Sequence, residues 1–254
     1  MKKIFFVFGL SLLAGCMVSE EYNIATHRQD IYFYSTPKEI AIGRNIAKAV
    51  AEKYKFCQEP SLNRKIQEIG QKIAAVCDRK ELIYRYYIIE DKTINAFSLP
   101  GGFVYIFRGL LDKLKTEDEI AFVLGHETGH IVARHAIKRL QAAMASNLLL
   151  IASTQVESGG NLPQGVYLAL VSLMSGYSQE DEFLADKLGI TYARKAGFDP
   201  KAAIKVLELL EKENEKSPAR QISYFRTHPY PIPRIRAIKE ELGLPLNFRD
   251  LANN

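Results

Sequence analysis

Apolar residues recur at helical spacing from Pro37 onward, at Ile40, Ile42, Ile46, Ala49, Val50 and Tyr54, and a proline with its fixed φ suits the first turn of such a helix. A second stripe, Leu62, Ile66, Ile69, Ile73 and Val76, follows Pro60-Ser61, and the two together predict an αα-hairpin packed beside the rest of the domain. From Leu82 the pattern becomes extended. Ile83 to Ile89 and Phe103 to Phe107 are aromatic and β-branched runs that predict strands, separated by the turn-forming run Asn95 to Gly102. Arg108-Gly109-Leu110-Leu111 predicts a short helix. Pro100 and two glycines before the second strand suit a sheet edge, where missing ladder donors are tolerated. Gly101, Gly102, Phe103, Val104 and Tyr105 are therefore candidates to take an extended peptide as an added strand; an ordinary hairpin is the equal alternative.

A long helical pattern then runs without proline from Thr116 to about Ser146. Thr116 followed by Glu119 is a capping-box pattern, and Glu117 and Asp118 place negative charge on the positive end of the helix dipole. The apolar run Ala142 to Ser153 is too short to cross a bilayer. After Glu157 to Asn161 another apolar helix is expected from near Pro163 to Ala196; core packing is the favoured account of that pair, with a substrate groove or a face resting on the lipid surface as alternatives. Phe198-Asp199-Pro200 ends it and starts a helix with Ala203, Val206, Leu207 and Leu210 facing inward. Arg226-Thr227-His228-Pro229-Tyr230-Pro231 leads into a last helix that carries Arg234 and Arg236.

Chemistry concentrates in Gly125-His126-Glu127-Thr128-Gly129-His130. Positions four apart share one helix face, so His126 and His130 can direct imidazole nitrogens at one ion, with Glu127 beside them as a base. A catalytic zinc site uses three protein ligands and leaves a position for water. Glu182 is the natural third ligand, because Glu182 and Asp186 share a face continued by Gly189 and Ala193, whose small side chains permit close approach to the first helix. Glu180 and Asp181 are competing carboxylates that lack this face. Asp186 is placed to accept the distal N–H of a ligand histidine. His228 is a candidate to supply a proton or hydrogen bond to a developing oxyanion, or to cap the open metal position; Arg234 is a second oxyanion candidate. His135, five residues past His130 and about 140° around the helix, is read as structural.

Composition is that of a globular chain: 254 residues, 47% hydrophobic, 25% charged, formal charge +5. Lys2 and Lys3, the apolar run Ile4 to Ala14, and Leu13-Ala14-Gly15-Cys16 resemble a bacterial lipoprotein signal with its lipobox. That implies cleavage before Cys16, lipidation of its sulfur, and a mature balance of 32 basic against 29 acidic side chains, too mild to argue for nucleic acid. Met17 in place of Asp favours the outer membrane of a Gram-negative periplasm. Residues 16–36 read as a lipid-attached tether, and 37–254 as the working domain. Cys57 and Cys77 flank an expected helix that would hold them roughly 24 Å apart, beyond disulfide reach.

Taken in order, Asn95 to Leu111, the HExxH helix through His135, Glu182 to Asp186, and Thr227-His228-Pro229 resemble peptidase family M48, whose motifs run NAFxLPGG, HExGHxxARH, ExxAD and THP. A metzincin is excluded, because Ala133 and Ala136 stand where its glycine and third histidine belong. The resemblance implies an α+β, mainly helical, zincin-like (gluzincin) metalloprotease domain with a small sheet. It implies one Zn2+ on His126, His130 and Glu182, with Glu127 as base, Asp186 behind a ligand, and His228 near the metal. The expected function is zinc-dependent endoproteolysis of unfolded or misassembled envelope proteins. A zinc-containing chaperone or binding module that holds extended polypeptides without cutting them is the alternative, although a purely structural zinc site has no use for Glu127.

Overall fold

The computed structural model describes residues 19–143, 176–216, 223–247 and 250; the signal segment, Cys16 and the apolar stretches between 144 and 175 lie outside the described residues. In chain order the elements are a hairpin of β1 (Ser19–Asn23) and β2 (Arg28–Tyr32), then α1 (Thr36–Lys53), α2 (Pro60–Val76), β3 (Arg85–Ile89), β4 (Ala96–Leu99), β5 (Phe103–Phe107), α3 (Arg108–Leu111) and α4 (Glu117–Val132). They continue with α5 (Gln179–Lys195), α6 (Ala202–Glu215), α7 (Ser223–Thr227) and α8 (Pro231–Glu241). Helices dominate and the sheets are small, as the sequence led us to expect.

Successive side chains on a strand point to opposite faces, and here both faces of the three-stranded sheet are apolar. Tyr86, Ile88, Val104 and Ile106 join a core with Ile66, Ile69 and Ile73 of α2 and the apolar residues of α4. Phe97, Leu99, Phe103, Tyr105 and Phe107 join a second core with Ile46 and Val50 of α1. On that second face the rings of Tyr87, Tyr105 and Phe97 stack in a row, with centroids 5.3 and 4.8 Å apart. Helices α1 and α2 therefore lie on opposite faces of the sheet, which replaces the expected αα-hairpin. A sheet buried on both sides needs one helix on each.

The strand order is β3-β5-β4, with β3 parallel and β4 antiparallel to β5. Strand β5 is central, with β3 and β4 paired to its two sides, so the expectation that Gly101 to Tyr105 forms an edge open to substrate is corrected. Gly101 and Gly102 make the turn between β4 and β5 at φ +78 and +100, a region closed to most side chains. The outer side of β3 is sealed: Gln71 Nε2 donates to the Tyr84 carbonyl at 3.1 Å, Gln67 Nε2 to that of Tyr86, and the Cys57 N–H to that of Ile88 at 3.0 Å. Among the described residues nothing pairs with the outer side of β4, which lies against α4. Cys57 and Cys77 are free thiols near the two ends of α2.

Two further expectations change. Residues 19–32 are a paired hairpin rather than a tether, and α4 does not run on to Ser146. It stops at Val132, Arg134 adopts φ +58, and residues 135–143 are helical again. A left-handed non-glycine residue costs roughly 1–2 kcal/mol, so something must hold it. Arg134 donates to Glu21 and to the Tyr34 carbonyl at 2.6 Å each, pairs with Glu39 at 3.0 Å, and lies 3.7 Å over the Tyr32 ring. Asn23 donates to the Ala133 carbonyl, Lys138 pairs with Asp30, and Gln141 exchanges hydrogen bonds with Ile31 and Phe33. Buried Glu39 also binds Arg79, which in turn donates to the Ile131 carbonyl. The contacts that dock this hairpin join it to residues more than a hundred positions away, so no local period reveals them.

Replacing Arg134 removes this bundle while testing its backbone separately. Arg134→Gly is expected to lose about 3 kcal/mol in urea unfolding, the low end for deleting one member of a buried ion pair because Glu39 keeps Arg79. Arg134→Ala is expected to lose about 1 kcal/mol more, since alanine must also adopt the left-handed turn.

Candidate metal centre

The carrier of the HExxH residues is an ordinary capped helix. Thr116 Oγ1 accepts from the Glu119 N–H at 3.2 Å, and Glu119 accepts from the Lys115 N–H at 2.6 Å. What is unusual is burial on nearly every side, with every residue from Glu119 to Val132 inside. Helix α5 begins with its own capping box, between Ser178 and Asp181. The two helices cross where neither has a side chain to spare. A Cβ on Gly189 would stand 2.9 Å from the His126 amide nitrogen, and one on Gly129 3.0 Å from the Ala185 carbonyl. This crossing carries Glu182 onto the histidine pair, as the small-residue face of α5 predicted.

His126 Nε2 and His130 Nε2 lie 3.0 Å apart. Glu182 approaches them with its oxygens at 3.7 and 3.4 Å, and His228 Nδ1 is 3.3 Å from His126 Nε2 and 3.0 Å from Glu182 Oε1. One ligand atom from each of the four lies within 4.8 Å of the others, and all four residues are buried. Tetrahedral coordination with metal–nitrogen bonds near 2.0–2.1 Å places ligand atoms about 3.3 Å from one another, so the spacing fits. The hydrogen-bond balance fits too. Neither Glu127 oxygen nor His228 Nε2 has a hydrogen-bond partner among the described residues, although all are inside and His228 Nε2 lies 3.3 Å from Glu127 Oε1. Buried polar atoms left unpaired cost free energy, and here they line one small space that an ion and its water complete.

Charge is balanced by Arg234. Its guanidinium is fully buried and donates from Nε and Nη2 to the two oxygens of Asp186, each at 2.7 Å, while Nη1 lies 2.6 Å from Glu182 Oε2, close as an ion pair but poorly aligned as a hydrogen bond. Burial alone raises both carboxyls; Arg234, joined at Glu182 by His228, outweighs it and holds Glu182 well below, and Asp186 below, the usual carboxylate range. Burial pulls His228 down, yet Glu182 and Glu127 outweigh it and raise its pKa. Burial drives His130 well below the ordinary histidine value, leaving its ring neutral and able to donate a lone pair. Asp186 accepts at 2.9 Å from His126 Nδ1, where the sequence placed it. Arg234 was expected at the oxyanion; that reading is corrected, since its donors are turned to Asp186, Glu182 and the His228 carbonyl.

Other neighbours had little or no signal in the sequence. Tyr177 stacks on the His130 ring at 4.0 Å, and Tyr224 on His228 at 4.6 Å. His135 Nδ1 lies 2.8 Å from His130 Nδ1, and His135 Nε2 lies 3.2 Å from Asp181. Burial lowers His135 to about 4. It is outside the ligand set, as expected, but the break at Arg134 returns it to a ligand's far side, which a straight helix would not do. The Ser178-Asp181 spacing was the one available hint that Asp181 is held in place. Phe103, Val104 and Tyr105 take no part in the centre; they are core residues.

Comparison with known proteins gives the same picture. The profile of peptidase family M48 matches residues 60–242. The chain is 31% identical over 249 residues to mitochondrial metalloendopeptidase OMA1 of Schizosaccharomyces pombe, covering 95% of this chain and 73% of that one. It is 26% identical over 212 residues to the beta-barrel assembly-enhancing protease of Escherichia coli, covering 79% of this chain and 43% of the relative, so it spans less than half of that protein. It is 30% identical over 163 residues to metalloprotease LoiP of Escherichia coli, covering 63% and 62%. With the four-residue ligand cluster inside the matched span, the chain belongs to peptidase family M48 and is a metalloprotease.

Proposed function

We propose that the protein is a zinc-dependent endopeptidase that cuts extended segments of unfolded or misassembled envelope proteins. The observation that carries this reading is the buried donor set of His126, His130, Glu182 and His228 gathered against the unpaired carboxylate of Glu127. Two histidines and one glutamate are a donor set that zinc takes in catalytic sites. A zinc ion held there supplies Lewis acidity, which lowers the pKa of a bound water towards about 7 and polarises the scissile carbonyl. Glu127 takes the proton of the attacking water on a carboxylate oxygen and returns it to the leaving amine. His228 is turned both ways, Nδ1 towards the ligand set and Nε2 towards Glu127. With a zinc ion bound, His228 would help to hold it at rest and, on swinging away as substrate enters, would donate a hydrogen bond to the oxyanion. Arg234 keeps Glu182 and Asp186 ionised and in place.

The substrate strand is β4 rather than β5. Its outer side is unpaired among the described residues and it lies against α4, so an extended chain added there runs past the ligand cluster through main-chain hydrogen bonds that are largely indifferent to sequence. That favours unfolded substrates. Relatives named for enhancing β-barrel assembly support envelope proteins as the source. The lipobox-like Leu13 to Cys16 supports cleavage of residues 1–15, lipidation of Cys16 and a station on the periplasmic side of the outer membrane. Among the described residues no helix is long and apolar enough to cross a membrane.

Casein cleavage by the wild type, set against Glu127→Gln at matched zinc content, tests the reaction. The wild type is expected to cut and the variant to lose at least about a hundredfold in rate, the lower end of a general base's contribution. Cleavage by neither, with zinc bound and unfolded chains still held, would favour the chaperone reading. His228→Ala is expected to keep its zinc, to shorten the lag before cleavage as the resting cap is removed, and to turn over more slowly thereafter as the oxyanion donor is lost, a time course that stopped-flow peptide cleavage reads. Arg234→Met is expected to destabilise the metal-free protein by about 3–5 kcal/mol in urea unfolding, since two buried carboxylates lose their counter-charge.

A further inference from the structure

We infer that His135 and Asp181 form a hydrogen-bonded relay that positions the ligand His130, acting on the metal through it. The inference rests on the metal-centre reading above and adds two residues which that reading does not use.

The atoms leave one consistent pattern. His130 turns Nε2 to the ligand cluster, 3.0 Å from His126 Nε2 and 3.4 Å from Glu182 Oε1, so its Nδ1 points away from the metal. A nitrogen that gives a lone pair to a metal carries no hydrogen, and the ring's hydrogen must then sit on Nδ1. Nδ1 meets His135 Nδ1 at 2.8 Å, which must accept. The hydrogen of His135 is thereby fixed on Nε2, and Nε2 lies 3.2 Å from Asp181 Oδ1. Asp181 is itself held: its Oδ2 accepts from the Ser178 N–H at 3.3 Å, and its own N–H donates to Ser178 Oγ at 3.1 Å. Tyr177, stacked at 4.0 Å, stops the His130 ring from tilting off this line.

Two features argue for positioning rather than filling. The carboxylate that caps α5 is the residue immediately before Glu182, so the third ligand and the His130 anchor share one fixed point. The two ligand histidines are also held by unlike means. His126 leans on a carboxylate that Arg234 neutralises. On the His130 side an imidazole intervenes instead, and a carboxylate placed directly on His130 would add a further buried negative charge to those of Glu127, Glu182 and Asp186. The intervening imidazole carries the hydrogen bond outward to Asp181, whose side chain is 28% exposed and can be solvated.

Zinc affinity, measured by competition with a fluorescent chelator on the full chain at fixed pH, tests the relay apart from cleavage. His135→Leu is expected to weaken zinc binding about tenfold to a hundredfold, whereas His135→Gln, whose amide can accept from His130 and donate to Asp181, stays within about threefold of wild type. Asp181→Asn is expected to weaken binding in the wild-type background and to add little on top of His135→Leu. Should His135→Leu fail to fold, the contrast between His135→Gln and Asp181→Asn still carries the test. Equal zinc affinity in the Leu and Gln variants, or additive losses in the double variant, would overturn the relay alone. A wild type that binds no zinc would overturn the metal centre and the relay with it.

Discussion

The crossing of α4 and α5 is the constraint on which the rest depends. A metal ligand set needs atoms about 3.3 Å apart, yet His126, His130 and Glu182 come from helices whose axes ordinarily stand 8–10 Å apart. The gap closes because Gly125 and Gly129 face Gly189 and Ala185, letting backbone meet backbone. Each glycine weakens its helix by up to about 1 kcal/mol relative to alanine, so this closeness is costly in helix propensity and is offset by packing. Everything outside the pair then serves to hold it. The sheet backs α4 through Tyr86 and Thr128, α8 delivers Arg234 from the far side, and the N-terminal hairpin clasps the residues that follow α4.

Burial makes the site demanding in charge as well as in space. Glu127, Glu182 and Asp186 are fully or almost fully enclosed, and a carboxylate taken out of water without compensation is strongly unfavourable. Arg234 answers two of the three. Among the described residues Glu127 has no hydrogen-bond partner and only the His228 ring as an ion-pair neighbour, so the proposed base is the one carboxylate that no guanidinium holds. A guanidinium on Glu127 would hold it ionised and make it a poor base.

The parts of this arrangement that depend on neighbours in sequence were legible. The i, i+4 spacing of the histidines, the Thr116 cap and the small face around Glu182 are all local, and the structure bears them out. The failures share a cause. Whether α4 stops at Val132 is decided by Glu21, Tyr32 and Tyr34 gripping Arg134, and whether β5 is central is decided by its parallel pairing with β3. Neither is written in the periodicity of the segment concerned. Yet Phe103 to Phe107 is apolar at every position, which marks a strand covered on both faces, whereas an edge strand usually alternates. Arg234 differs for a related reason, since an arginine a few residues past a histidine that is a candidate for the site suggests an oxyanion partner until its two carboxylates are seen.

The ligand set is also widely spaced along the chain, and that gives its assembly a direction in time. Arg234 follows His126 by 108 residues, and Arg134 follows its partner Glu21 by 113. At ribosomal speeds of about 5–20 residues per second, on the order of ten seconds separate the histidine clamp from the arginine that lets Glu182 and Asp186 stand together inside the protein. Contacts of such separation also form late in folding, because a long loop must close before they return any energy. A half-made chain therefore owns a pair of histidines and no working centre. Until α8 docks, Glu182 and Asp186 lack the guanidinium that offsets their buried charge.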